Sequence, residues 1–229
     1  MNPRLTKYQR ATFALLIGLA LMLATIVSAQ SQSPSAGDQQ SPRANDRFSH
    51  GPQPGTTAPE FTLKTINGET VRVSALWTSK PTLIMAGSYT CPVFRGKVDS
   101  FERLVREFGD RVNFVVLYTQ EAHPKGDPSP YTGREWTTDA NERDGILLPQ
   151  PESAEERLTR AQTCAKAMKL TARVAVDGMD NSAWAAFGRA PNSACLIGRD
   201  GKVVAQQAWF NPGEMRSAIE RLLKPSTGK

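Results

Sequence analysis

The chain has 229 residues, 39% of them apolar, 22% charged and 7% aromatic, with 17 glycines, 16 prolines and a formal net charge of +6. That is room for one ordinary domain with appendages; the composition excludes collagen and a wholly disordered chain, and no heptad or fixed repeat points to a coiled coil or solenoid. Half of the net charge comes from Arg4, Lys7 and Arg10, which precede the first acid, Asp38; the other 25 bases are mixed with 22 acids and form no stripe interleaved with aromatics, so no nucleic-acid partner is expected.

Those three bases lead into an uncharged run from Ala11 to Ala29, rich in Leu, Ala and Ile at its centre and ending Val27-Ser28-Ala29. This order of basic, apolar and small residues marks 1–29 as a secretory signal peptide or, if uncleaved, an N-terminal membrane anchor. Either way the rest of the chain is expected outside the cytoplasm, periplasmic or extracellular. Residues 30–56, rich in Ser, Gln, Pro and Gly, lack the apolar side chains that offset ordering entropy and read as a flexible tether. The folded domain is expected over 57–229.

Within it, Phe61 and Leu63, the Asn67-Gly68 turn, and Val71 and Val73 predict a hairpin. Thr82 to Ala86 reads as a buried strand. Pro92 suits a helix start, and Val98, Phe101, Leu104, Val105 and Phe108 recur at helical spacing up to Gly109. Val112 to Tyr118 is a second buried strand, so the three elements form a βαβ unit with a parallel pair. Ser153 and Glu156 form a capping-box pair opening a helix to about Leu170. Val174–Val176 is a short strand. Cys195–Ile197 and Val203–Ala205 flank a turn at Asp200-Gly201, and Asn211-Pro212 opens a last helix. A mixed sheet covered by helices, an α/β class, follows; the order is that of a thioredoxin-like fold with an N-terminal hairpin.

Cys91 sits where the first buried strand hands over to its helix, in Gly87-Ser88-Tyr89-Thr90-Cys91-Pro92-Val93-Phe94. Unpaired N–H groups and the positive dipole end at a helix start stabilise a thiolate, so a lowered Cys91 pKa is expected. Position 94 is Phe, which rules out a Cys-x-x-Cys dithiol. Cys195 alternates with Ile197 and reads as core. Cys164 reads as core or as a resolving thiol for Cys91. His123 follows the second strand, at a parallel strand end neighbouring that of Cys91, where an imidazole could hold the thiolate or deliver a proton. Glu121 could orient that ring. Pro191, before the second hairpin, faces the thiol in this topology, and a cis bond is expected there. Two histidines and three cysteines make no convincing zinc site, and no dinucleotide or phosphate-loop motif is present, so neither metal nor cofactor is expected.

With these residues laid out, the chain resembles the iodothyronine deiodinase family in its bacterial cysteine-containing branch. The family pattern Gly-Ser-x-Thr-(Sec or Cys)-Pro-x-Phe stands as Gly87 to Phe94, and Tyr-x-x-Glu-Ala-His-Pro as Tyr118 to Pro124. Arg157, Met179-Asp180-Asn181 and the turn Arg199-Asp200-Gly201-Lys202 also fit. The resemblance implies Cys91 as nucleophile in the selenocysteine position and His123 as its partner, with Ser88, Thr90, Glu121 and Pro191 in support. The substrate it implies is a small electrophile, a halogenated aromatic or, through the related peroxiredoxin fold, a peroxide; the electron donor is an external thiol or dithiol, and a homodimer is an open assembly. Where the family continues after His-Pro with x-Asp-Gly-Trp, this chain has Lys125-Gly126-Asp127-Pro128, with Trp136 later. A third reading is a non-catalytic thioredoxin-like module at the membrane surface.

Overall fold

The computed structural model describes residues 51–225. The export segment at 1–29 and nearly all of the tether therefore lie outside the described residues. Seven strands form one mixed sheet in the order β2-β1-β5-β4-β3-β6-β7.

Alternation of β-branched and polar residues gives the first hairpin, β1 (Thr62–Thr65) paired antiparallel with β2 (Thr70–Arg72). Val73 does not continue β2. It opens a seven-residue helix, α1 (Val73–Ser79), which buries Val73 and Trp77 one turn apart. Two apolar positions are too few to display a helical period, so the pattern read as a strand end.

The predicted βαβ unit is present. β3 (Thr82–Gly87) leads through α2 (Pro92–Phe108) into β4 (Asn113–Tyr118), and the two strands run parallel from Thr82 opposite Asn113 to Gly87 opposite Tyr118. Each strand is apolar on both faces because both are covered. Leu83, Met85, Val116 and Tyr118 join the cluster under α2, whereas Ile84, Val115 and Leu117 join the cluster with Trp77 of α1.

The middle of the chain adds α3 (Asp139–Arg143), α4 (Ala154–Ala167) and β5 (Arg173–Val176), the last parallel to β4 and antiparallel to β1. Ser153 caps α4 by accepting from Glu156 N at 3.1 Å, but the Glu156 carboxylate takes Glu152 N at 2.6 Å rather than closing the box on Ser153. The helix stops at Ala167, short of Leu170, because Lys169 takes a left-handed φ of 54°. Then come α5 (Ser182–Ala186), the hairpin of β6 (Ala194–Ile197) and β7 (Val203–Gln207), and α6 (Pro212–Leu223), capped by Asn211. The short helices α3 and α5 were not foreseen. Upstream of β1, Gly55 N and Thr56 O both bond Val203, at 2.8 and 2.9 Å, and Thr57 bridges Lys202, so the last residues of the stretch read as tether lie along β7.

Candidate active site

Because β3 and β4 are parallel and in register, their ends at Gly87 and Tyr118 lie side by side. Gly87 is glycine for a steric reason: a Cβ there would stand 2.1 Å from the Phe94 ring, which is fully buried against that backbone. The seven-residue spacing from Gly87 to Phe94 thus folds the intervening segment back over the strand end.

Cys91 is the N-cap of α2, and its Sγ accepts from Phe94 N at 3.3 Å. It is 0% exposed. Burial pushes the thiol up to about 11, against the opposing pull of the Phe94 and Val93 N–H groups and of Arg95. The expected lowering is therefore corrected for this closed arrangement: the helix start is present, but water is excluded from the sulfur, and desolvation outweighs the dipole.

The loop after β4 is stitched to both sides of Cys91. Ser88 Oγ accepts from Ala122 N and Thr90 Oγ1 from His123 N, each at 3.1 Å. The Glu121 carboxylate, fully buried, accepts from Thr90 N at 2.8 Å and from the Tyr118 hydroxyl, which itself accepts from Tyr89 N at 3.2 Å. Glu121 is thus spent on the backbone and on Tyr118. It does not orient the His123 ring. That ring meets Trp136, whose carbonyl lies 3.1 Å from Nδ1 and whose indole packs edge-on at 4.3 Å between ring centres. A carbonyl only accepts, so Nδ1 carries the proton and Nε2 keeps a lone pair. Burial pushes the His123 pKa down, partly offset by the Trp136 carbonyl, so the imidazole is neutral at neutral pH.

Asn141, buried in α3, ties the site together, and no motif around it announces that role. Its Nδ2 donates to Thr90 O at 2.9 Å and to His123 O at 3.5 Å; its Oδ1 accepts from Thr138 Oγ1 at 2.9 Å and from Arg95. Arg95 in turn donates to Tyr89 O and to Asp144, both at 2.8 Å. Gln150 clamps the Glu121 backbone from both sides, at 2.9 and 2.7 Å. Asn141→Ala leaves Thr90 O and Arg95 short of partners in a buried place, and a loss of about 3 kcal/mol in urea unfolding is expected. A loss under about 0.5 kcal/mol would show that the latch is not structural.

Pro191 is buried, but its peptide bond is trans, because the described residues contain no cis bond. The chain reverses at Gly188, with φ 113°, and Arg189, with φ 48°, and so needs no cis proline. Cys164 is fully buried in α4 and belongs to the same apolar cluster as Cys91, while Cys195 lies across the sheet. All three are free thiols, and burial pushes Cys195 up to about 12 and Cys164 strongly upward. Arg157, buried, donates to Gly178 O and to Asn181 Oδ1, fastening Met179-Asp180-Asn181 to α4. The described residues hold no cluster of His, Cys, Asp and Glu suited to a metal.

Comparison with known proteins bears on the fold and the family. The thioredoxin domain of a thiol-disulfide oxidoreductase from Bacteroides vulgatus superposes with a TM-score of 0.52 at 13% identity, covering 76% of this chain and 99% of that one. A thioredoxin-family thiol:disulfide interchange protein from Chlorobium tepidum gives 0.50 at 13% identity, with the same coverage. These establish a thioredoxin-like fold. Type II iodothyronine deiodinase of Homo sapiens is 29% identical over 122 residues, 52% of this chain and 42% of that protein. Thyroxine 5-deiodinase of Sparus aurata is 31% identical over 150 residues, 62% and 50% respectively. The chain thus spans half the length of these relatives or less. The model of the iodothyronine deiodinase family matches residues 43–223, from within the stretch read as tether to the end of α6, and the chain belongs to that family.

Proposed function

We propose that the protein is an exported, thiol-dependent oxidoreductase in which Cys91 attacks a small electrophile, either a peroxide oxygen or a halogen on an aromatic ring. The observation that carries this reading is Cys91 at the N-cap of α2, with the His123 loop bonded to the residue beside it. With a peroxide, sulfur bonds to one oxygen, the O–O bond breaks and the departing oxygen takes a proton. With an aryl halide, sulfur bonds to the halogen, the carbon–halogen bond breaks and the carbon takes a proton. Nε2 of neutral His123 accepts the thiol proton, and the resulting imidazolium delivers it. Two electrons from thiols then restore Cys91 by way of a disulfide, releasing water or halide. Cys164, in the same cluster as Cys91, suits that step better than Cys195; an external thiol or dithiol closes the cycle. Export rests on residues 1–29; among the described residues no helix is long and apolar enough to cross a membrane.

Burial sets a condition on this chemistry. At rest Cys91 is covered and protonated, so the cover must move before attack. Tyr131 packs against the buried cluster that contains Cys91, and burial pushes its phenol pKa well up, so it is a candidate part of that cover. Once water reaches the sulfur, the desolvation penalty disappears and the Phe94 and Val93 N–H groups favour the thiolate.

Alkylation of Cys91 as a function of pH, followed by the mass of the modified peptide, tests this. With the thiol at about 11, labelling at pH 7 is expected to be about 300-fold slower than that of a free thiol titrating near 8.5. Tyr131→Ala is expected to speed labelling and pull the midpoint down toward or below 8.5. Hydrogen peroxide consumption and iodide release from iodinated phenols, with dithiothreitol as donor, separate the two electrophiles. A Cys91 that stays slow in both proteins, with neither substrate consumed, would instead favour the non-catalytic module.

A further inference from the structure

At the opposite end of β3 from Cys91, about 17 Å away along the strand, lies an open cleft of about 650 Å³. It sits where the β6–β7 turn meets the start of β3 and the end of α6. Lys80, Arg111, Arg199 and Lys202 line it, against one acid, Asp200. The acid is already engaged, since its Oδ1 accepts from Lys202 N at 3.0 Å. Arg111 has a loose, exposed pairing with Asp110 at 3.5 Å. Among the described residues Lys80, Arg199 and Lys202 form no ion pair. Among the described residues the Lys80 ammonium donates only to Gly109 O, at 3.4 Å, and the Lys202 ammonium only to Thr57 Oγ1, at 2.9 Å. Like charges gathered in one concavity repel unless an anion sits among them, and a concave wall with apolar residues such as Pro81 and Leu222 focuses their field.

We propose that this cleft binds a phosphate group carrying two or more negative charges, as a phosphate monoester or a diphosphate. Two arginine forks and two ammonium groups match a tetrahedral oxyanion with several acceptor oxygens better than they match a single carboxylate. The group can come from a soluble ligand or from a lipid headgroup. The site shares no residue with the thiol centre.

The test uses the full chain and the double variant Lys80→Ala/Lys202→Ala. Inorganic pyrophosphate is titrated by calorimetry, and vesicles of phosphatidylcholine with and without phosphatidic acid are tested by co-sedimentation. The expected result is saturable binding that weakens with salt and falls about tenfold or more in the double variant. Pyrophosphate binding alone identifies a soluble ligand; a gain only from phosphatidic acid, lost in the variant, identifies a lipid headgroup; each supports the site. No saturable binding of either probe, or equal binding by both proteins, overturns it. Cys91 alkylation is expected to be the same in both, so failure here leaves the thiol reading standing, and failure of that reading leaves this one.

Discussion

Cys91→Ser is expected to reduce thiol-dependent turnover of the accepted electrophile by about 10³-fold or more while leaving the fold in place. Two effects of the same substitution separate here. Serine is a preferred N-cap, so its hydroxyl can still accept from Phe94 N, the bond now made by Cys91 Sγ at 3.3 Å. Helix α2 therefore keeps its start, and the urea midpoint should barely move. The nucleophile, in contrast, is gone, because a serine hydroxyl without a strong base is a far weaker attacker than a thiolate. His123→Ala, which removes the proton carrier but leaves sulfur, is expected to cost about 10²-fold. Turnover assays with peroxide and iodinated phenol, with circular dichroism as the control for folding, read both. Undiminished turnover in Cys91→Ser would place the chemistry elsewhere.

The second large effect is on stability at alkaline pH. Burial raises all three thiols in the folded chain, Cys91 to about 11 and Cys195 to about 12, with Cys164 also strongly raised. In the unfolded chain each titrates near 8.5. Below that pH both states hold the protons and the thiols contribute no pH dependence. Between there and the folded values, the unfolded chain has released protons that the native chain retains, so stability falls as pH rises. The slope is about 1.4 kcal/mol per pH unit for each thiol, about 4 for three. Over two pH units that rivals the whole stability of an ordinary domain. Tyr118 and Tyr131, also raised by burial, steepen the fall above pH 10. Urea midpoints should be level from pH 7 to 8 and drop sharply above 9, and Cys195→Ala should lose about a third of the thiol slope despite a lower baseline. A level profile to pH 11 would contradict buried, protonated thiols.

The parts of the fold that were legible in the sequence have long, clean periods. β3, α2 and β4 carry enough apolar positions for two-residue and 3.6-residue spacing to be told apart, and Pro92 and Gly109 mark the helix limits. The same reading put Cys91 at the helix start and His123 at the neighbouring strand end, and the chain folds them there. Short elements escaped: α1, α3 and α5 have seven, five and five residues, too few to repeat a pattern. Asn141 escaped because its principal partner, Thr90, is 51 residues away, and nothing local in Thr138 to Arg143 announces that bond. The direction of the Cys91 shift failed for a related reason. A helix start can be read from Pro92, but water exclusion is a property of the whole cluster packed around the sulfur, drawn from segments far apart in the chain. Glu121 was placed in the right neighbourhood and given the wrong partner, since a carboxylate's bonds depend on which donor the backbone turns toward it.

The segment that lies along β7 also bears on mechanics. Gly51 is buried beneath Gln206, Gly55 and Thr56 bond Val203, and Ala58 N bonds Gly201 O at 2.9 Å. These contacts run antiparallel to β7, so tension on the chain from upstream of Gly51 reaches them one after another, from Gln206 back toward Gly201. The strip would peel like tape instead of shearing as a block, and would yield at low force while the central parallel strands stay intact. Peeling would also bare the outer rim of β7, a strand edge able to recruit a neighbouring chain. Any pull from upstream and resistance to self-association are thereby mechanically linked through the same eight residues.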